Sequence, residues 1–373
     1  MAGIYIHIPF CKKACHYCNF HFSTSLALKN DFLDALLREI ELRKDYTAGE
    51  TISTIYLGGG TPSLLEKTEI EALLRHLRLY HPIATDAEIT LEANPDDISP
   101  DKLTAWSKSG INRLSIGVQS FFDEDLAWMN RAHNAGQAIE SLSLATQLFP
   151  NITIDLIYGM PTLTDQKWQS NVERAIGLNI PHLSCYALTV EPKTALQHLI
   201  EKSQVADVNS EDQARQFVLL MDWLTAAGYE HYEISNFALP GMRSKHNSSY
   251  WRGEKYLGLG PSAHSFDGHS RQWNIANNAM YIQAIRQGII NYEKEELTAE
   301  QRLNEYTMTS LRTIEGLDLA RVMTDFGADK SFAIKKTAGK YIEQKLIDEK
   351  GERLILTKEG KLFADGIASE LFF

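Results

Sequence analysis

Three of the four cysteines in this chain fall within eight positions of the stretch PFCKKACHYCNF: Cys11, Cys15 and Cys18, spaced C-x3-C-x2-C. Free cysteine is among the most buried residue types, so a core role is one reading. The flanking Lys12, Lys13 and His16 suit a core poorly. A structural zinc ion needs four ligands, and His16 or His21 could supply one. Zinc ligands, however, usually come as two separated pairs, and no second pair follows. A redox pair would use two thiols and leave one idle. An iron–sulfur cluster fits best. Soft thiolates hold iron, and a four-iron cluster held by three cysteines keeps one iron open to a chelating small molecule. Phe20 stands where a fourth thiol could follow. The remaining cysteine, Cys185, lies in the apolar strand pattern LSCYALT, where a core thiol is expected.

The elements that must position this loop follow from two alternating hydrophobic periods. Short β-rich runs recur at Ile4–Ile8, Ile52–Leu57, Glu88–Asn94, Arg113–Gln119, Ile152–Tyr158 and Leu183–Thr189. Helical patterns lie between them. In NDFLDALLREIELRK, Phe32, Leu36 and Ile40 share a face with Leu33 and Leu37, and Asn30 or Asp31 is placed to cap the start. TEIEALLRHLRLY repeats the device with Ile70, Leu73, Leu74 and Leu77. Strands that alternate with helices predict an α/β fold with a parallel sheet and right-handed crossovers. Six such units can curl into a partial barrel with its site at the C-terminal ends of the strands.

After about Gly241 the rhythm stops. YWRGEKYLGLGPSAHSF, rich in glycine and aromatics, reads as loop over a surface. From Ala299 helices resume, and KLIDEKGERLILTKEGKLFADGI reads as helix end, hairpin and helix, a winged-helix-like unit. The expected division is therefore 1–240 for the core, 241–298 for a connecting segment and 299–373 for a smaller C-terminal domain. A winged helix suggests DNA, but residues 305–373 hold 11 Lys/Arg against 12 Asp/Glu with no basic stripe. A packing or lid role is the better expectation there.

Composition agrees with this reading. A chain of 373 residues can bury a large core, and a net charge of −11 with pI near 5.6 argues against electrostatic nucleic-acid binding. Four cysteines in so long a chain do not make a disulfide framework. The start MAGIYIHIPF lacks the basic and apolar regions of a signal peptide, and no apolar run is long enough to span a bilayer. A soluble, cytoplasmic protein is expected.

The cysteine loop directly after a first strand, followed by six β/α units, resembles the radical S-adenosylmethionine (SAM) superfamily. YIHIPFC and the rest of the chain narrow the resemblance to the branch holding oxygen-independent coproporphyrinogen III oxidases of porphyrin biosynthesis and HemW-type heme chaperones. It implies a 4Fe-4S cluster on Cys11, Cys15 and Cys18, with SAM chelating the open iron. An electron then cleaves the SAM sulfonium; the cofactor carries the chemistry and the protein orients it. It also implies a SAM site at the strand mouths. Gly59, Gly60 and Thr61 of IYLGGGTPS lie there, with Glu92 of LEANP, Gln119 of LSIGVQS and Asp155 of DLIYGMP. Arg131 of NRAH, expected on a helix, is placed to pair with a carboxylate, and Tyr5 and Tyr17 complete the lining. Each alone has a structural alternative: a cap for Glu92, a surface ion pair for Arg131, a core position for Tyr17.

Two functions remain within that branch, an oxidase that decarboxylates coproporphyrinogen III and a chaperone that binds heme and delivers it to an acceptor protein. The oxidase pattern carries one more cysteine, where this chain has Phe20, and an extension ahead of the first strand, where this chain has ten residues before Cys11. HNSSYW, His246 to Trp251, matches the chaperone motif H-N-x-x-Y-W. His246 offers an imidazole for iron, and Asn247, Tyr250 and Trp251 accompany it, with flat rings suited to a porphyrin face. His264 of GLGPSAHSF is a second imidazole of less defined role. The resemblance thus implies SAM, the cluster and heme as ligands. The implied partners are a heme acceptor and an electron donor, with no nucleic acid and no integral membrane segment, though with room for transient contact with a membrane protein.

Overall fold

Residues 2–8, AGIYIHI, are buried along almost their whole length, as a strand covered on both faces requires, and they begin the sheet that organises the molecule. The computed structural model describes residues 1–373. Ile4, Ile6 and Ile8 are fully buried, and with the helix Lys29–Leu42, whose Phe32, Leu36 and Ile40 are also fully buried, they belong to one apolar core. Tyr5 and His7, one residue out of phase, line a cavity.

Six parallel strands stand in sequence order: β1 (Ala2–Ile8), β2 (Ile52–Gly59), β3 (Ile83–Ala93), β4 (Arg113–Gln119), β5 (Ile152–Tyr158) and β6 (His182–Ala187). The sheet is open rather than closed into a barrel. Beyond β6 it continues antiparallel through β8 (Asn236–Ala238) and β7 (Glu230–Glu233). The helix Lys67–Tyr80 buries Ile70, Leu73, Leu74 and Leu77, as its period predicts. The helix over Lys29–Leu42 departs from expectation at its start. Leu28 is the N-cap and makes no side-chain cap, so Asp31 acts in the first turn, where its charge complements the helix dipole.

Residues 241–298 are not the loop-like connection expected. They form a helix, Lys245–Trp251, then β9 (Tyr256–Leu259), which pairs parallel with β1. β10 (His264–Phe266), β11 (Ser270–Asn274) and β12 (Tyr292–Glu296) follow antiparallel, so the main sheet has twelve strands. Glycine density hid this. Gly258 lies where any Cβ would meet the His264 carbonyl oxygen at 1.9 Å, so glycine here serves close strand packing rather than a loop. Buried Glu39 holds the addition in place, accepting from the Gly260 amide (2.7 Å), the Asn274 amide group (2.7 Å) and the Tyr281 hydroxyl (2.7 Å). Arg43, one turn later, donates to Gln272 at 2.7 Å and to Asn274 at 3.0 Å.

The C-terminal residues pack a second, separate apolar core around Leu303, Val322, Ile334, Leu354 and Ile367. Three helices, Ala299–Leu311, Leu319–Phe326 and Ala328–Glu343, precede a hairpin of Ile347–Lys350 and Arg353–Leu356, and the helix Ala364–Glu370 follows. No helix of the chain is long and apolar enough to cross a membrane.

Candidate functional site

The cysteine loop leaves β1 at Ile8 and is fixed at several points by its backbone. Cys11 donates its amide to Ser23 at 3.0 Å, and His16 donates its own to Met129 at 3.1 Å; the His16 carbonyl accepts from Leu196 at 2.8 Å. The thiols of Cys11, Cys15 and Cys18 are half-buried and unbridged. The two histidines weighed as zinc ligands are engaged elsewhere. His16 Nδ1 is 2.9 Å from the Trp128 carbonyl, and His21 Nε2 is 2.7 Å from Asn278 Oδ1. No three His, Cys, Asp or Glu side chains converge on one point as the ligands of a single ion would. A four-iron cluster places each thiolate on a different iron, so a spread set of three thiols suits it. Burial pushes the Cys11 thiol up to about 11, against a Thr61 hydrogen bond that lowers it, and burial also raises Cys18. Cys11 and Cys18 are thus held protonated in the ligand-free loop, and metal binding must release those protons.

Above the loop lies a cavity of about 440 Å³ whose walls include the three cysteines. Tyr17, Gly59, Gly60, Thr61, Glu92, Gln119, Arg131 and Asp155 all line it, so the strand mouths converge as expected. Tyr5 does not. It stacks on Tyr56 with ring centroids 6.2 Å apart and lines a larger neighbouring cavity instead. Arg131 lies beyond the helix Asp123–Trp128 rather than on a helix. Its guanidinium donates to Asn94 Oδ1 and the Gly117 carbonyl, both at 2.7 Å, and reaches Cys15 Sγ at 3.3 Å. Its Nε is buried without a partner.

The register explains the convergence. Glu92 pairs with Ser115, and Gly117 with Asp155, so polar side chains recur on one face of adjacent strands. Glu92 accepts from the Tyr56 hydroxyl at 2.8 Å and from the Gly59 amide at 3.1 Å. Burial, then the charge of Glu92, pushes the Asp155 carboxyl up to about 7. The glycines have a second task. A Cβ on Gly60 would meet the Phe10 carbonyl oxygen at 2.6 Å and that of Ile8 at 2.7 Å, so the chain passes tightly beneath the cysteine loop. Gln119 ends β4 with φ +68°, a left-handed geometry unusual for a side chain, as it turns into the cavity wall. Sequence reasoning missed Asn94 and Ser115 as lining residues. Asn94 lay inside the LEANP stretch, and inward alternation along β4 was the available signal for Ser115.

The expectation for His246 needs correction. It lies in the helix Lys245–Trp251, 1% exposed. Its Nδ1 is 2.8 Å from Thr54 Oγ1 and its Nε2 2.8 Å from the Tyr250 hydroxyl, so neither nitrogen faces a cavity. Burial and the charge of Arg113 lower its pKa to about 3. The ring stacks on Tyr56 at 5.0 Å. Its helix is anchored by Glu88, which accepts from the Lys245 and His246 amides at 3.1 and 3.0 Å. The Asn247 amide is taken up by Ser244 Oγ at 3.2 Å, and Asn247 lines neither cavity. Tyr250 and Trp251 do line the larger one.

Comparison with known proteins agrees with this architecture. Residues 5–175 match the Radical SAM superfamily and residues 297–363 match the HemN C-terminal domain. The fold and the cysteine loop thus make this a radical SAM protein, a class that implies a 4Fe-4S cluster and SAM. The chain is 34% identical to the heme chaperone HemW of Bacillus subtilis over 98% of both chains. It is 33% identical to the heme chaperone HemW of Escherichia coli, covering 99% of this chain and 97% of that one. The chain belongs to the HemW family. Among solved structures, coproporphyrinogen III oxidase (HemN) from Escherichia coli superimposes with a TM-score of 0.86 at 26% identity, covering 100% of this chain and 90% of that one.

Proposed function

We propose that this protein carries heme and hands it to an acceptor protein, while keeping a 4Fe-4S cluster and SAM in the smaller cavity. The observation that carries the reading is end-to-end similarity to relatives named heme chaperones. The site supports it. Cys11, Cys15 and Cys18 supply the cluster's thiolates. Glu92 and Asp155 present carboxylates to the polar groups of a small ligand, and Arg131 presents a guanidinium to a carboxylate. Cys11, Cys15 and Cys18 would hold a cluster whose chemistry is electron donation to the SAM sulfonium. The protein's part is to hold the ligand by its polar ends and to keep water out of a half-enclosed cavity. Tyr250 and Trp251 give the adjoining larger cavity flat apolar faces suited to a porphyrin.

The second reading, radical decarboxylation of coproporphyrinogen III, is favoured by the close superposition on that oxidase. Against it stands Phe20, 66% exposed beside the cluster loop where the oxidase pattern has a cysteine. The test uses one anaerobically reconstituted sample. It should take up close to one hemin per chain, and with SAM and reductant it should leave coproporphyrinogen III unchanged. Conversion to protoporphyrinogen at a steady rate would transfer the assignment to the oxidase.

A further inference from the structure

The larger cavity, about 900 Å³, opens between the β10–β11 end of the sheet and the C-terminal helices, and its size is at the upper end of ordinary ligand pockets. Asn19 and Phe20 line both this cleft and the cluster cavity, so the two adjoin. Three imidazoles border the cleft: His7, His21 and His264. His7 is buried, with Nδ1 3.1 Å from the Tyr5 hydroxyl and Nε2 2.8 Å from the His21 carbonyl. His21 is tied to Asn278. His264 differs from both. Strand alternation in β10 turns Ser265 inward, where it is buried, and leaves His264 and Phe266 together on the cavity face. The His264 ring is exposed, stacks on its cross-strand partner Trp273 at 6.0 Å, and makes no side-chain hydrogen bond within the protein. Partial burial and the charge of Arg271 lower its pKa, so the neutral, metal-binding form faces the cleft.

Four arginines share the lining with carboxylates: Arg252, Arg271 and Arg321 are paired with Glu254, Glu305 and Asp325 respectively. Arg302, on the helix Ala299–Leu311, has no carboxylate partner. It meets only His269 Nδ1 at 2.8 Å, and its Nε is buried and unsatisfied. A flat apolar ligand with an iron at its centre and carboxylates on one edge matches a cleft that holds an unengaged imidazole, aromatic rings and a guanidinium with no carboxylate partner.

We infer that this cleft is the heme site, with His264 as an axial ligand to the iron and Arg302 receiving a propionate, an assignment that rests on the heme-carrier reading above. His246 then supports the cleft from behind through Tyr250 and does not touch iron. Heme so held spans the sheet domain and the C-terminal domain.

Hemin is titrated into the full reconstituted chain and into His264→Ala, His246→Phe and Arg302→Ala, with circular dichroism confirming the fold of each. His264→Ala should bind hemin about tenfold or more weakly with a shifted Soret band, and added imidazole should return the band to the parent position. His246→Phe should keep the parent band. Arg302→Ala should weaken hemin but not hemin dimethyl ester, which lacks the free carboxylates. If the parent binds hemin and His264→Ala keeps its band and affinity, or if His246→Phe alone abolishes the band, the assignment is overturned and the carrier reading stands. A parent that takes up no hemin overturns both.

Discussion

At the scale of single residues, the chemistry rests on groups whose charge the fold makes costly until a ligand arrives. Cys11 and Cys18 are the clearest cases among the loop thiols. Cys11→Ala, Cys15→Ala or Cys18→Ala should each abolish the four-iron signal, because each thiolate serves a different iron. Cys185→Ala should leave iron content unchanged, since that thiol is 1% exposed in the core. Iron analysis and electron paramagnetic resonance decide it; a dispensable loop cysteine with an essential Cys185 would contradict the ligand set. Asp155 gives a second prediction. Its carboxyl, raised to about 7 by burial and then by the charge of Glu92, lies near Arg131, Arg113 and its cross-strand partner Ser184, each of which lowers it. SAM carries a sulfonium, which favours the carboxylate, so below pH 7 binding must first release a proton. SAM affinity should therefore fall as pH drops from 8 to 6, by up to about tenfold per unit. Asp155→Asn should flatten that profile, and an identical profile in the variant would count against Asp155. The cysteine triplet was legible from its own spacing, whereas Asp155 entered only through the resemblance its strand motif carries. His246 was assigned to iron on its match to H-N-x-x-Y-W, and a motif cannot show that Thr54, distant in sequence, and Tyr250 take up its two ring nitrogens.

Elements set the spacing among these groups. The Gly-Gly-Gly run was legible as a close approach of backbone, but not that the approach is to the cysteine loop itself. Gly60→Ala places a methyl against two backbone oxygens that belong to the base of the loop, and backbone cannot swing aside as a side chain can. Residues Phe10 to Cys11 must then shift. We expect Gly60→Ala to reconstitute with less than half the iron of the parent while keeping its far-ultraviolet circular dichroism; normal iron incorporation would contradict the contact. The strand runs were legible because alternation and β-branching survive any topology. The pairing of β9 with β1 was not, because four residues containing Gly258 carry too little pattern to outweigh the surrounding glycines.

For the whole molecule, the division expected at residue 240 cuts through one structure. Removing everything after it exposes the edge of β1, which carries the cluster loop at its end, and strips Glu39 of all three of its donors. Arg43, 3.9 Å away, is then the one charge left beside that carboxylate, and the core loses Leu257, Leu259, Tyr281, Ile282 and Ile285, which pack in it. A fragment of residues 1–240 should therefore be insoluble or aggregated, while 1–297, which keeps β9 to β12, should be soluble and reconstitute a cluster. Gel filtration of both fragments checks this, and a monomeric, folded 1–240 would contradict it. The C-terminal helices were legible because an amphipathic set must bury its apolar faces, and theirs meet in a second core of their own.

If heme is cargo, the loaded chain hands it to an acceptor faster than it loses it. The chain loaded with one hemin is mixed with increasing amounts of the heme-free form of a protein that holds heme non-covalently, and the Soret band is followed by stopped flow. The transfer rate should rise with acceptor concentration and exceed passive loss to a generic heme scavenger. A rate equal to passive loss at every acceptor concentration would contradict it.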